Sequence, residues 1–456
     1  MSRGATQNPE EVPARAVLPG EAGPYGWVER AVWTERMLDA LRRGGPDGGR
    51  WYWLHDKVFA EKTLRAAFAR VARNGGSPGV DGKTIEAFGN RLDEEITRLR
   101  AAWVAGTYRP QAIRCAWIPK PGRDEQRPLG IPTVRDRVVQ TALKLVLEPI
   151  FESTFSEHSH GFRPGRSARD ALAAVLGHLE AGKVWVVDVD LKAYFDGIPH
   201  ERLLSVVRQK VTDRRVLDLI AAFLKAGVLD EESTSPEVGT PQGGVISPLL
   251  ANIYLNDLDH EMAEVGTAME RYADDIVICC RTQEEAERVL AKVQAWTTQV
   301  GLALHPAKTR VVDLGVPGAY VDFLGYRLQR HVDRHGRNRI LRKVRPQSLD
   351  RIKEQIRHRT PRKSGVSLAE QIAQLNPVLR GWFGYFRSAT QPTHAALDKM
   401  VRRRLRHMLC KRVGWKMTWE RGEANKRWSK TFFAEQGLFS LEEAHAQYVQ
   451  ALQRAH

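Results

Sequence analysis

The chain has 456 residues, 42% hydrophobic and 27% charged, with a formal net charge of +16. That balance fits a soluble globular protein of two or three domains with a substantial core. No run approaches the roughly eighteen apolar residues that a membrane span needs, and four cysteines without a C-x-x-C pair speak against structural zinc or a disulfide framework and for a reducing, cytoplasmic setting.

In chain order, residues 1–49 begin with Pro, Gly and acidic residues and no apolar core, which predicts a mobile tail and excludes a secretory signal. Apolar spacing predicts helices over 57–73 and 92–104, separated by the turn-rich Asn74 to Gly79. A strand at 115–119 runs into a charged loop, Lys120 to Arg127, and a helix over 134–151 carries Val138, Ala142, Leu145 and Ile150 on one face. Val184 to Asp190 reads as a β-rich strand ending in acids, followed by a helix from about Pro199 to Val211. Gly-rich punctuation at 239–244 precedes a long helix over 247–262, and strands are expected at 311–314 and 320–328. Beyond Arg330 the pattern predicts a basic loop and then helices at 346–359, 367–388, 393–412 and 440–454. The fold class is α+β: a mixed region with an antiparallel sheet, then an all-α basic C-terminal region.

The positive charge is lopsided. Residues 330–456 hold 28 Lys and Arg against 10 Asp and Glu, whereas residues 1–329 hold 42 against 44. A surplus confined to the last quarter of the chain favours a polyanionic partner, with nucleic acid ahead of a membrane surface.

The most informative segment is Tyr272-Ala273-Asp274-Asp275, which precedes the apolar run Ile276 to Cys279 and follows a polar, charged stretch. The pattern predicts a β-hairpin with the acids at its turn and its second strand buried. Adjacent carboxylates repel unless a cation lies between them. Asp190, at the end of an apolar strand, is the natural third carboxylate of a metal cage; Asp188 shares its strand parity and Asp196 lies nearby, so parity alone does not choose. Two hard divalent ions on such oxygens suit polymerase chemistry, one activating a primer 3′-hydroxyl and one clamping a triphosphate. The loop Gly239 to Gly244 lets backbone approach a ligand and offers the Gln242 amide for hydrogen bonding. Lys120 and Arg127 are suited to a triphosphate. Arg402, Arg403, Arg404, Arg406, Lys411 and Arg412 lie on predicted helices near Trp415, Trp419 and Trp428, a mixture suited to phosphate contact and base stacking, although such tryptophans also serve as core anchors.

Taken in order, these segments resemble the blocks of reverse transcriptases, and more closely those of bacterial group II intron-encoded proteins. The resemblance is carried by Arg127 to Thr133, Gly161 to Ser167, Asp190 to Asp196, Gly239 to Asn252, Tyr272 to Asp275, Phe323 to Tyr326 and the maturase-like Leu375 to Arg387, and it covers about residues 50–450. It implies a right-hand polymerase with fingers and palm over 50–330, a thumb/maturase region over 331–394 and a basic helical nucleic-acid-binding region over 395–456. It also implies RNA-directed DNA synthesis with two Mg²⁺ ions, dNTPs, an RNA template and a DNA primer or target, and assistance to the splicing and retrohoming of a group II intron RNA. By motif position Asp190, Asp274 and Asp275 match the catalytic acids, and Lys120, Arg127 and Gln242 the nucleotide contacts. Phe195 matches the gate against a ribose 2′-hydroxyl, and Lys308 the lysine near the leaving pyrophosphate. A shift of one residue would exchange Phe195 with Tyr194. The chain lacks the cysteine pairs of the HNH endonuclease that many relatives carry, and its ending, Gly437 to Leu441, resembles the compact endonuclease-lacking, group IIC-like subclass. Two rival expectations are a domesticated reverse transcriptase in defence or repair and an RNA-binding splicing factor with a vestigial polymerase.

Overall fold

A computed structural model describes residues 25–46, 49–119, 126–226, 228–229, 243–361, 365–390, 392–415 and 421–455. Among the described residues the strands are β1 (Ile113–Pro119), β2 (Gln126–Ile131), β3 (Trp185–Asp190), β4 (Val228–Leu229), β5 (Ala268–Tyr272), β6 (Asp275–Cys280), β7 (Arg310–Asp313), β8 (Val321–Phe323), β9 (Tyr326–Val332) and β10 (Asn338–Val344). The chain divides into two compact units between Val311 and Val312. The boundary expected near residue 330 instead falls inside β9.

In the first unit a four-stranded sheet runs in the order β5–β6–β3–β7, and a smaller one in the order β2–β1–β4. The helix Val134–Glu152 is buried over most of its length, from Val134 to Phe151, and starts on Thr133, whose Oγ1 accepts the Asp136 N–H at 3.2 Å. Burial on every side puts it at the centre of the core, polar residues such as Asp136, Arg137 and Gln140 included, and its apolar residues share a continuous core with β3, β6 and the helix Ser247–Glu264. The expected helix over 57–73 is broken at Phe59 and Ala60 into His55–Val58 and Glu61–Asn74. The expected tail is corrected in part: residues 25–46 include a helix, Glu35–Arg42, and Val28, Val32, Trp33, Leu38 and Leu41 are buried. Trp33 Nε1 donates to the Leu145 carbonyl at 3.0 Å, so this segment is fastened to the central helix.

In the second unit a sheet of order β10–β9–β8 precedes helices Pro346–Arg359, Leu368–Phe386, Thr393–Arg412, Arg421–Arg427, Lys430–Glu435 and Leu441–Ala455. The basic loop expected after Arg330 is a strand, β10, paired antiparallel with β9 from Asn338↔Val332 to Val344↔Tyr326. The strand shows no two-residue alternation, because Arg339 and Lys343 fall on one face and Arg342 on the other; it lies at a sheet edge, where charge also guards against unwanted pairing. Ile352, Ile356, Leu375, Leu379, Val401, Leu405 and Phe433 form the helical core.

Candidate active site

The hairpin carrying the acids forms as expected. β5 and β6 pair antiparallel with Tyr272 opposite Asp275, leaving Ala273 and Asp274 as a two-residue turn. Ala273 has φ +58°, the left-handed conformation such turns require. β3 pairs with the other edge of β6, and its last residue, Asp190, lies directly opposite Asp275. Directly opposed residues of an antiparallel pair project from the same face. Asp190 and Asp275 therefore share a face at the sheet end, and Asp274 sits in the adjoining turn. Asp188 lies further in, opposite Val277, and pairs with Arg310 at 3.3 Å.

Only the second strand of the hairpin was expected to be buried, yet β5 is buried as well, its charged residues included. Glu270 accepts from His158 at 3.0 Å, His160 at 2.7 Å and His178 at 3.0 Å. Burial alone would raise its carboxyl, but these three imidazoles outweigh it and hold the group at about 2. The wholly buried Arg271 is paired with the equally buried Asp259. Buried charge is tolerable only with such complete partnering.

The segment 303–309 fixes the backbone of Asp190. His305 N–H donates to the Asp190 carbonyl at 2.8 Å and Lys192 N–H to the Ala303 carbonyl at 2.8 Å. Lys308 Nζ reaches the two Asp190 carboxylate oxygens at 3.3 and 3.1 Å. Burial pushes the Asp274 carboxyl above the ordinary carboxylate range and the charge on Asp190 adds to that, while its own backbone N–H, Arg271 and Lys308 act the other way. The acids are neighbours without being gathered into a finished cage: among the described residues no three His, Cys, Asp or Glu side chains already stand at metal-ligating positions. The Asp190 carboxylate is instead turned to the Lys308 ammonium. The donor set itself, hard oxygens from three acids at one sheet end, suits a hard divalent cation.

Tyr194 and Phe195 are told apart by burial. Tyr194 is 3% exposed and its hydroxyl donates to the Ala251 carbonyl at 2.6 Å, whereas Phe195 is half-buried. Lys120 and Gln242 lie outside the described residues; Arg127 contributes its backbone to the β1–β2 ladder opposite Ile118, and its side chain is likewise outside the description. Of the basic cluster in the second unit, four members are tied to neighbours. Arg402 lies 3.8 Å from Asp398, Arg404 Nε donates to Thr360 Oγ1 at 2.5 Å, and Arg406 Nε donates to the Trp428 carbonyl at 2.8 Å. Arg412 donates to the Val366 carbonyl, yet it is exposed, as are Arg403 and Lys411.

Several residues of the site were given no role of their own in the sequence reading, although Gly161, Gly243 and Asn252 lay within segments it quoted. Gly161 packs against the acidic turn so closely that a Cβ there would stand 2.3 Å from Ala273 N, and Gly243 approaches the Gly130 carbonyl in the same manner, at 2.1 Å. Asn252, Asp259, Glu270 and Arg271 were missed because the partners of a buried charge lie far away in sequence. The available signal was the seven-residue spacing of Asn252 and Asp259 on an otherwise apolar helix face.

Comparison with known proteins agrees with this arrangement. Residues 118–328 match the reverse transcriptase (RNA-dependent DNA polymerase) family, and residues 349–428 match the group II intron, maturase-specific domain. Protein YkfC of Escherichia coli (strain K12) is 34% identical over 328 residues, which are 62% of this chain and 85% of that protein. The group II intron-encoded protein LtrA of Lactococcus lactis subsp. cremoris is 41% identical over 180 residues, 39% of this chain and 30% of LtrA. The putative COX1/OXI3 intron 1 protein of Saccharomyces cerevisiae is 29% identical over 259 residues, 54% of this chain and 29% of that protein. The alignments with the last two thus span under a third of their lengths. An acid-tipped hairpin set against an acid-tipped strand in the first unit, and a maturase-specific domain in the second, place the chain in the group II intron reverse transcriptase/maturase family.

Proposed function

We propose that the chain copies RNA into DNA at the tip of the β5–β6 hairpin, using dNTPs and two Mg²⁺ ions held by Asp190, Asp274 and Asp275. We propose also that it binds a group II intron RNA in the cytoplasm, to assist its splicing and retrohoming. The observation that carries the first part is the register that sets Asp190 opposite Asp275 with Asp274 in the adjoining turn. Electrostatics supports it, because Asp274 is held above its ordinary range by burial and by Asp190, and a cationic Lys308 already sits on Asp190. Divalent cations bound there would supply an activated primer hydroxyl and a neutralised triphosphate.

The chain's own residues then do the positioning. Phe195 is available to bar a 2′-hydroxyl because Tyr194 beside it is committed to the core. Lys120, Arg127 and Gln242 hold the incoming nucleotide, and Lys308 stabilises the departing pyrophosphate, in keeping with their family positions. The exposed Arg403, Lys411 and Arg412 contact RNA phosphates. Asp274→Asn or Asp190→Asn is expected to abolish primer extension on an RNA template while leaving filter binding of intron RNA nearly unchanged. Extension at the wild-type rate by either variant would overturn the metal assignment.

A further inference from the structure

The acidic turn does not hold its own shape. It is two residues long, one of them a non-glycine in the left-handed conformation, and such a conformation persists only where surrounding structure over-determines it. The determinant is the side chain two residues earlier. Arg271 Nη1 donates to the Ala273 carbonyl at 2.9 Å and to Asn252 Oδ1 at 2.9 Å; Nε donates to Asp259 Oδ1 at 2.7 Å, and Nη2 pairs with Asp259 Oδ2. A guanidinium is a planar fork that can meet several acceptors at once in fixed directions, which an ammonium cannot do.

Both acceptor side chains stand on the helix Ser247–Glu264, seven residues and two turns apart, so they face the same way. Asn252 has a second task. Arg271 can only donate, so the amide oxygen must face it, and Asn252 Nδ2 is left to donate to the Gly161 carbonyl at 2.7 Å. Gly161 is the residue whose backbone abuts Ala273 and Tyr272 from the other side. The turn is thus clamped between a guanidinium beneath it and a glycine against its flank, and one amide connects the two clamps.

We infer that Arg271, with Asn252 and Asp259, is a positioning device for the reaction: it sets the carbonyl of Ala273 and thereby the direction in which Asp274 presents its carboxylate to a divalent cation. All three are buried and would act through Asp274. The inference rests on the reading of Asp274 as a metal-holding acid.

The test uses the full chain and the variant Arg271→Lys, which keeps the buried positive charge beside Asp259 and loses the fork. Binding of Mn²⁺ is measured by electron paramagnetic resonance without nucleotide, together with the Mg²⁺ concentration giving half-maximal primer extension. Groups that orient metal ligands typically cost tenfold or more in metal affinity when altered, so a weakening of about tenfold is expected in both measurements. At saturating Mg²⁺ the KM for dNTP is expected to stay within about twofold. Asn252→Ala, which spares the Arg271–Asp259 pair, is the second variant and is expected to shift Mn²⁺ affinity in the same direction by a smaller factor. Variants that are less stable to heat yet bind Mn²⁺ as the wild type does would reduce the network to a structural brace and overturn the inference. Asp274→Asn separates the two levels of the argument. If it abolishes Mn²⁺ binding while Arg271→Lys and Asn252→Ala do not alter it, the positioning role falls; if Asp274→Asn itself binds Mn²⁺ normally, the metal assignment falls first.

Discussion

Arginine serves opposite purposes in the two units. In the first, Arg271 is completely buried, and its donors meet fixed groups at the base of the acidic turn. In the second, Arg403 projects from the helix Thr393–Arg412 into solvent, while Arg404 and Arg406 on the same helix are spent on carbonyls and a hydroxyl of neighbouring segments. The lesson is that a cluster of cations in a sequence is not by itself a nucleic-acid surface. Part of this one holds helices together, and only the exposed remainder is open to the proposed contact with phosphate.

The contrast is sharpest in stability. Arg271→Ala strips the buried Asp259 of its partner and is expected to cost about 3–5 kcal/mol, whereas Arg403→Ala is expected to stay within about 0.5 kcal/mol. Denaturant unfolding of both variants measures the difference, and equal costs would erase the distinction drawn between the two sites. Gly161→Ala tests the same turn from its flank. A Cβ 2.3 Å from Ala273 N cannot be accommodated without moving backbone, so a loss of about 1–3 kcal/mol is expected from overpacking. A disproportionate fall in DNA synthesis should accompany it, read by primer extension under conditions where the variant is fully folded.

A milder effect is expected from pH. Glu270 is held at about 2 against an ordinary 4.5, so its contribution is complete above 4.5 and is lost as pH falls toward 2. His158 is raised above its ordinary 6.5, chiefly by its hydrogen bond to Glu270, so its contribution is present below 6.5 and fades as pH rises beyond it. The melting temperature should therefore be highest between about 4.5 and 6.5 as far as this cluster is concerned, and Glu270→Gln should flatten both arms. A Glu270→Gln profile parallel to that of the wild type would refute this account. The smallest expected effect lies in RNA binding. Arg403→Ala and Lys411→Ala should each reduce the log–log salt slope of intron-RNA binding by roughly 0.7 to 0.9, the contribution of one neutralised phosphate. Arg404→Ala should instead lower stability and leave the slope unchanged, and a reversed pattern would reassign the RNA-facing side of that helix.

Legibility in the sequence followed a physical boundary. The helices Leu92–Val104, Pro346–Arg359 and Thr393–Arg412 were read to the residue. Others were not expected at all: Ala168–Glu180, Arg214–Lys225 and Gln283–Gln299, although each buries several apolar residues, and the short pieces at 421–435, where Ala424, Trp428 and Phe433 supply the buried positions. β10 looked like a loop because charged residues fall on both of its faces and leave no alternation, and residues 25–46 looked like a tail because their buried residues pack against a helix a hundred residues on. Asp190, Asp274 and Asp275 announced themselves by spacing and resemblance. The Asp190↔Asp275 register did not, since it depends on a pairing between strands far apart in the chain; resemblance, not strand parity, favoured Asp190 over Asp188. Glu270 and Arg271 looked like solvent-facing charge because hydropathy has no means of knowing that three histidines and an aspartate are waiting for them.

The helix Ser247–Glu264 touches the chemistry from two directions. Its Ala251 carbonyl receives the Tyr194 hydroxyl, four residues beyond Asp190, and its Asn252 and Asp259 receive Arg271, three residues before Asp274. A single rigid body therefore serves as the common datum for both halves of the site. When the helix shifts, through heat or a substitution elsewhere in the core, both loops travel with it, and the spacing between the two carboxylates is conserved to first order. Positional error is shared by the acids instead of accumulating between them, so the gap in which the proposed metal ions would sit is insulated from motion in the rest of the unit.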